Sequence, residues 1–542
     1  MKRITALVGS FCLLALFSCK KDVVTPVTDL SKTKSIENLA LVTINGVQVN
    51  NDTIPPSGAV DVKTYGAKGD GVTDDTQAIQ NAINAQNTIV FNKGTYIINQ
   101  TINMRSGVKI YGAGGATIKP GTSMSGKLLV NGRYFFFNGV SKAAITNLTF
   151  VPSGQSFNLS TYGNTIIYIT NSQNCMVQFC KFNFNQPYQH LGLEGIWIDG
   201  PSSTGNYLFQ NICNTVGIEY AENGASNTLC QYNTINNSHS TALNGEGNGT
   251  YYCTGNRLYF NTINNAGYNG INDWGLMDGT NIRGNIITGT GKSPSEGALG
   301  EGIQAVGVNT IVSQNKVTDA QAEYIEVAMT NKQIDSNTIV DYNLVAEGIV
   351  INTVSSSTQP HATSFTTIIN HNNITGCLNS IEVVGNYSPS VNIINNYISN
   401  PKSTGVDIVS NAATYSLTVS GNVFNLSTPN LGRRNALATY ASTLTTTQLV
   451  ALTNNTFNYT SGSAGGAGTE TAIATATNGI TLTGNTVNGN NVKNKAGTMV
   501  VAMNNNGVTY TGYTFVNNNF NGCLMWLSGF LSSLTSGNNF AL

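Results

Sequence analysis

The sequence predicts an all-β solenoid, a single chain wound into stacked coils, and three observations lead to it. The first is a motif of Asn, any residue, then an apolar residue. It recurs at Asn211, Asn233, Asn256, Asn285, Asn315, Asn337, Asn372, Asn396, Asn422, Asn455, Asn485 and Asn518, with spacings of 22 to 35 residues. An apolar side chain usually stands three residues earlier, as at Cys230, Cys253, Ile282, Val312 and Ile334. The second is a Gly-apolar pair between these anchors, at Gly195-Ile196, Gly217-Ile218, Gly270-Ile271, Gly302-Ile303, Gly348-Ile349 and Gly405-Val406. Around both, apolar and polar residues alternate with period two, which is the strand signature, and no helical period of ten or more residues appears. Short strands repeated at this period describe one coil per repeat. The third is the charge content of only 10% of 542 residues, against roughly 25% in an ordinary domain. Like charges stacked every ~4.8 Å would repel, whereas amides and hydroxyls can bond along a column.

The same figures exclude other classes. With 26 basic and 26 acidic side chains the net charge is zero, so there is no basic excess for a nucleic acid. At 40% hydrophobic the chain is not a disordered polyelectrolyte. Asparagines at one coil position suit a turn ladder, because Asn tolerates a left-handed backbone and its amide can reach the next coil.

Taken in chain order, Met1-Lys2-Arg3 and an apolar run from Ile4 to Phe17 form a secretory signal too short to span a bilayer. Leu16-Phe17-Ser18-Cys19 resembles a bacterial lipobox, which implies a lipid on Cys19, a membrane-anchored lipoprotein and an outer-membrane location. Residues 1–19 are thus the signal, 20–58 a polar tether with a short strand within Leu39 to Val49, and 59–542 the solenoid. Outside the signal stand Cys175, Cys180, Cys213, Cys230, Cys253, Cys377 and Cys523, an odd number with no zinc spacing. Most are flanked by apolar residues and read as core thiols.

The solenoid opens with Tyr65-Gly66-Ala67-Lys68-Gly69-Asp70-Gly71-Val72-Thr73-Asp74-Asp75 and continues through Ile89-Val90-Phe91, Gly94-Thr95-Tyr96 and Ile110-Tyr111-Gly112. This string, over roughly residues 59 to 120, resembles the start of the pectate-lyase-like superfamily. The resemblance implies a right-handed parallel β-helix and a choice among hydrolases, lyases, epimerases and tailspikes, since fold alone does not fix chemistry. Thr73 or Asp74 can cap a helix from about Asp75 to Ala85, with apolar face Ala78, Ile79, Ala82 and Ile83, plugging the open end. These aspartates therefore serve the fold.

Aligning coils on the Gly-apolar pair gives the outward positions. Directly after it come Trp197, Glu219, Asn244, Asn272, Gln304, Glu326, Val350, Glu382 and Asp407. Two further on stand Asp199, Ala221, Glu246 and Trp274; two before stand Glu194, Thr241, Asn269, Glu301, Glu323 and Glu347. Residues 181–340 hold thirteen acids against six bases. Two of the chain's three tryptophans beside several carboxylates read as a polysaccharide groove. Glycosidases need two carboxylates, about 5–5.5 Å apart for retention or 6.5–9.5 Å for inversion.

The alignment puts Glu219 diagonally ~8 Å from Asp199 and Glu246, which suits inversion. The expected assignment is Glu219 as acid, with Asp199 or Glu246 positioning water. Trp197 and Trp274 stack on sugars, and Asn244, Asn272, Arg257, Gln304 and Glu326 bind them. Glu301 and Glu323 share a column at ~4.8 Å, suited to retention, a shared proton or calcium. Asp273 is a further acid, although strict alternation turns it inward. No cofactor is required.

Hydrolases of the resembled superfamily often carry Asn-x-Asp, paired-Asp, Gly-His-Gly and Arg-x-Lys motifs. Asn272-Asp273 is a fragment of these, and Gly-His-Gly is missing. The alternatives are a lyase, using cations among Arg257, Arg283, Lys316, Lys332 and His239 or a bound calcium, and a non-catalytic glycan-binding module.

Overall fold

The structure, a computed structural model, describes residues 42–44, 47–49, 53–125, 133–152, 164–186, 188, 192–248, 250–294, 300–328, 332–352, 366–385, 390–410, 416–426, 435–440, 449–459, 471–476, 480–488, 499–503, 514–521 and 539–541. The signal segment with Cys12 and Cys19, most of the tether, and Cys523 lie outside these residues. Residues 1–52 and 53–542 are two separate units. In the first, Val42–Ile44 and Val47–Val49 pair antiparallel, flanking Asn45-Gly46, the dipeptide most favourable to a two-residue hairpin. The expected single strand is thus a strand pair. No helix among the described residues is long and apolar enough to cross a membrane.

The second unit is a parallel β-helix whose coil contributes one strand to each of three sheets. In one coil these are Leu193–Asp199, Tyr207–Phe209 and Ile212–Asn214, after which Ile218–Glu222 returns to the first sheet. We call the three the front, second and third sheets. The front sheet stacks fifteen strands, from Ile102–Asn103 to Met499–Met503. The Gly-apolar pairs set its register. Ile196, Ile218, Leu243, Ile271, Ile303, Ile325, Ile349 and Ile381 follow one another across the ladder, all fully buried. Their glycines permit close stacking: a Cβ on Gly270 would stand 2.5 Å from the Gly302 carbonyl oxygen.

The asparagine ladder is real, with two corrections. Each amide Nδ2 donates to the next coil's Asn Oδ1, from Asn211 through Asn233, Asn261, Asn285, Asn315, Asn337, Asn372, Asn396, Asn422, Asn455 and Asn485 to Asn518. Asn261 belongs to this column, not Asn256, whose Oδ1 accepts from Thr228 N at a different turn. Both motifs read Asn-x-apolar, so spacing alone does not separate them. The left-handed backbone also lies one residue before the ladder, at Gln210, Tyr232, Phe260, Gln314, Ser336, His371, Asn395, Asn454 and Asn517.

The cap is the helix Thr76–Ala85, burying Ile79, Ala82 and Ile83. Asp74 accepts from the Thr76 N–H and hydroxyl. Asp75 turns the other way, accepting from Lys68 N and Gly69 N at 2.6 and 3.1 Å. Asp70 accepts three bonds from Val72 and Thr73, the Thr73 bonds first among the causes that hold its carboxyl at about 2. All three aspartates are committed to the fold. Cys175, Cys180, Cys213, Cys230, Cys253 and Cys377 are free and buried, as core thiols should be.

Candidate active site

The outer face of the front sheet carries the first predicted column without change: Trp197, Glu219, Asn244, Asn272, Gln304 and Glu326 pair in succession. The second column differs. The strand Ile218–Glu222 holds a bulge, so Asp199 pairs with Glu222, Glu222 with Glu246, and Glu246 with Trp274. Ala221, expected here, is fully buried. The cause lies inside the coil. Gly245 leaves room for the Tyr220 ring, because a Cβ there would stand 2.3 Å from it. Tyr220 turns inward and donates to the Asn272 carbonyl and Asp273 Oδ1, both at 3.1 Å. Two consecutive inward residues then re-aim Glu222 outward.

Three carboxylates therefore occupy one column on consecutive strands. Asp199 is saturated by donors: Tyr168 OH at 2.7 Å, the Thr170 hydroxyl at 3.2 Å and Asn223 Nδ2 at 2.7 Å. Glu222 is 8% exposed, and burial, then the nearby Asp199, raise its carboxyl to about 7. The Trp197 indole N–H, 2.8 Å from Glu222 Oε2, opposes that rise. Glu246 accepts from Asn244 Nδ2 at 3.3 Å and from Asn248 Nδ2 at 2.5 Å.

Glu219 lies beneath this row, only 2% exposed. Burial, then Glu246 and Glu222, push its carboxyl well above the usual range. Its Oε2 accepts from Asn244 Nδ2 at 2.7 Å, while Oε1 has no hydrogen-bond partner among the described residues. One amide serving Glu219 at 2.7 Å and Glu246 at 3.3 Å holds those two oxygens within about 6 Å. That is tighter than the spacing expected for inversion. Asn272 braces the amide through Nδ2 to Asn244 Oδ1 at 2.7 Å.

Other predicted residues fall elsewhere. Asp273 is fully buried inside the coil, as alternation required, bonded to Tyr220 and to the Thr310 hydroxyl at 3.0 Å. It does not reach the groove. Trp197 is 6% exposed, lies edge-to-face on Tyr168 and holds Glu222, so it offers no open platform. Trp274 is half-buried opposite Glu246.

The cations of the lyase alternative are dispersed. Arg257 and Arg283 sit on the second sheet, because Arg257 follows Asn256 rather than a ladder asparagine. Lys316 is exposed on the third sheet. Lys332 is buried, which lowers its ammonium to about 7, and donates to the Thr310 hydroxyl. His239 is 1% exposed with Nε2 3.1 Å from Glu194 Oε1.

Glu301 and Glu323 do follow one another on neighbouring coils, each two residues before the strands Ile303–Ala305 and Ile325–Ala328. Burial raises Glu301 to about 7 and raises Glu323. Beside them Gln304 donates to Glu326 at 2.6 Å. Among the described residues no three His, Cys, Asp or Glu side chains are grouped to hold a metal.

Sequence reading overlooked Glu222, hidden by the bulge, and the aromatic rim. Arg133 lies over the Phe136 and Tyr168 rings at 4.5 and 4.1 Å. Tyr251 and Tyr252 are 56% and 41% exposed. Tyr251 packs against Gly224 beside Pro201, next to the ends of the Asp199 and Glu222 strands. The adjacent Tyr-Tyr pair was the available signal.

Residues 59–289 match the family model described as rhamnogalacturonase A/epimerase, pectate lyase-like. The pre-neck appendage protein of Bacillus phage phi29 is 46% identical over 55 residues, 10% of this chain and 6% of that protein. The non-secreted LysM effector LysM19 of Penicillium expansum is 45% identical over 60 residues, 10% of this chain and 5% of that protein. The chain thus spans about a twentieth of the length of the curated relatives it matches. Among solved structures, the A-module of the mannuronan C-5 epimerase AlgE6 of Azotobacter vinelandii is similar at 16% identity, covering 73% of this chain and 99% of that one, with TM-score 0.47. The surface adhesin PfbA of Streptococcus pneumoniae is similar at 16% identity, covering 89% and 91%, with TM-score 0.38.

Proposed function

We propose that this chain, a parallel β-helix whose residues 59–289 match the rhamnogalacturonase A/epimerase, pectate lyase-like model, cleaves glycosidic bonds of a polysaccharide on the front sheet. The observation that carries this reading is the column Asp199, Glu222, Glu246. Adjacent strands lie ~4.8 Å apart, close to the 5–5.5 Å separation of a retaining pair.

Glu222, protonated near neutrality, is the general acid and gives its proton to the leaving glycosidic oxygen. Glu246, the more open carboxylate, attacks the anomeric carbon and forms a glycosyl ester as the leaving group departs. Water then adds to that carbon, Glu222 takes the water's proton, and Glu246 leaves as carboxylate. Asp199, with both oxygens bonded, places its carboxyl group beside the developing oxocarbenium. Trp274, Tyr251 and Tyr252 supply ring faces for sugars.

A neutral-sugar hydrolase agrees better with this face than elimination does. Elimination must neutralise a uronate, and Arg257, Arg283, Lys316 and Lys332 lie off the front sheet. The test is a polysaccharide panel read two ways. Reducing ends without absorbance from an unsaturated product support hydrolysis; that absorbance would replace it with elimination.

Trp197→Phe gives a finer check. Removing the indole N–H removes a donor that favours ionised Glu222, so the acid's pKa rises. The alkaline limb of the pH–rate profile should move upward from about 7. A limb that stays in place, or moves downward, counts against Glu222 as the acid.

A further inference from the structure

The second sheet carries an aromatic strip that the front-sheet chemistry does not use. On successive coils Phe179 meets Phe209 edge-to-face at 5.5 Å, Phe209 meets Tyr232 edge-to-face at 5.8 Å, and Tyr232 stacks on Phe260 at 5.4 Å. Tyr207 stacks on Phe209 at 5.3 Å, and Tyr259 lies beside Phe260. Four coils at ~4.8 Å make a strip roughly 15 Å long, enough for several sugar rings.

Backbone conformation supplies an independent observation. Phe179, Tyr232 and Phe260 adopt φ of 55°, 55° and 56°, in the left-handed region. On other coils this turn position is filled by Asn395, Asn454, Asn517, Gly284, Gly421 and Gly484, which accept it easily, and by the polar residues Gln210, Gln314, Ser336 and His371, never by another aromatic ring of Phe or Tyr among the described residues. A left-handed backbone crowds the Cβ of a bulky residue against its own carbonyl, and such outliers cluster where function holds them. Folding would be served better by Asn. Moreover, Phe260 remains 39% exposed although Gly284 packs against the ring, where a Cβ would stand 2.5 Å from it.

Charge completes the description. Arg257 and Arg283 flank Tyr259 on the same outer face. Arg257 Nε has no hydrogen-bond partner among the described residues, and Arg283 Nε donates to Gln314. The strands Met176–Gln178, Tyr207–Phe209, Leu229–Gln231, Arg257–Tyr259 and Asn281–Arg283 contain no carboxylate. Along the Arg283 column the first acid is Asp335, two strands further on. The strip is cationic and aromatic where the front sheet is acidic.

We propose that this strip is a second, non-catalytic glycan-binding surface that takes an anionic polysaccharide lying along the solenoid. Its sugars pack along the outward parts of the Phe260, Tyr232 and Phe179 rings that their neighbours leave uncovered, and its carboxylate or sulfate groups meet Arg257 and Arg283. The front sheet and the strip then bind different parts of a composite polymer.

The test is affinity electrophoresis in gels containing polygalacturonate, dextran sulfate or neutral dextran. Retardation is expected in the anionic gels, weakening with salt, and is absent in dextran. Retardation in polygalacturonate alone or in dextran sulfate alone assigns the anionic group, and either upholds the proposal. The Tyr232→Asn/Phe260→Asn variant installs the residue that other coils already use, so its melting temperature should hold while apparent affinity falls at least tenfold. Arg257→Gln/Arg283→Gln should lose the same retardation and its salt dependence, and keeps the test valid if the aromatic variant misfolds. Glu222→Gln should be retarded like wild type. No retardation in either anionic gel, equal retardation in dextran, undiminished binding by both folded variants, or loss in Glu222→Gln would overturn the proposal.

Discussion

Glu222→Gln is expected to lower release of reducing ends by roughly 10²- to 10⁴-fold, the usual contribution of a positioned general acid. The amide keeps the shape and can still meet the Trp197 indole region, but it has no proton to give. Glu219→Gln should change the rate far less. Burial at 2% exposure pushes the Glu219 carboxyl well above the usual range, favouring its protonated form, which an amide closely imitates. The contrast between two glutamates three residues apart separates the acid from its buried neighbour. If Glu219→Gln abolishes activity while Glu222→Gln retains it, the roles are reversed and the bulge has no catalytic purpose.

The pH dependence fixes the same residue independently. With Glu222 at about 7 in the folded chain, the proton-donating form is lost above that pH, and the rate should fall about tenfold per unit. Stability responds with the opposite benefit. An ordinary glutamate in the unfolded chain ionises near 4.3, so between that value and about 7 the folded state holds a proton that the unfolded state has released. Stability contributed by Glu222 is therefore full below about 4.3 and falls as pH rises towards 7. Glu222→Gln should accordingly melt higher than wild type at pH 8 and show little difference at pH 4. A variant that loses activity and gains stability identifies a strained functional group. A carboxylate that merely supports the fold would lose both.

Legibility from sequence followed physical regularity. The Gly-apolar pair marks one inward and one outward position on every coil, and the first outward column, Trp197 to Asp407, survived intact because those strands stay in register. The fold and the acid-rich face were thus readable. The second column was not, because period-two alternation counts every residue, and the Tyr220–Ala221 bulge adds one. Its cause, the space left by Gly245 for a tyrosine from the preceding coil, is a contact between residues 25 apart. Exposure was equally unreadable. Trp197 has the composition of a sugar platform, yet Tyr168 and Glu222 enclose it. Asn256 and Asn261 show the same limit, since two turns of one coil can carry the same tripeptide pattern. Local pattern gives the coil, whereas neighbouring coils decide which side chains meet.

Asn285→Ala should produce the largest loss of stability of any single change discussed. Asn285 is fully buried, and its side chain completes four bonds. Oδ1 accepts from the Asn261 backbone N and Nδ2, each at 2.9 Å, and Nδ2 donates to the Leu258 carbonyl at 2.8 Å and Asn315 Oδ1 at 2.9 Å. Truncation strands the Asn261 backbone N–H and one Nδ2 hydrogen in a site closed to water, the other Nδ2 hydrogen keeping the Cys230 carbonyl, at about 1–3 kcal/mol for each stranded group. A total of about 3–5 kcal/mol is expected, well beyond an ordinary point change. Asn264→Ala is the comparison, because Asn264 makes a similar bond to Asn236 at 2.9 Å but at the partly exposed end of the strand Thr262–Asn264, and should lose about 1 kcal/mol. A solenoid is stabilised by nearest-neighbour interfaces, so the loss should appear first as weakened coupling between coils on either side of residue 285. Hydrogen exchange would then show amides of the adjoining ladder, Asn261 and Asn315 among them, opening before the capped N-terminal coils. Equal losses for the two variants would mean that apolar stacking alone holds the turn register. The asparagine column would then follow from the coil rather than set it.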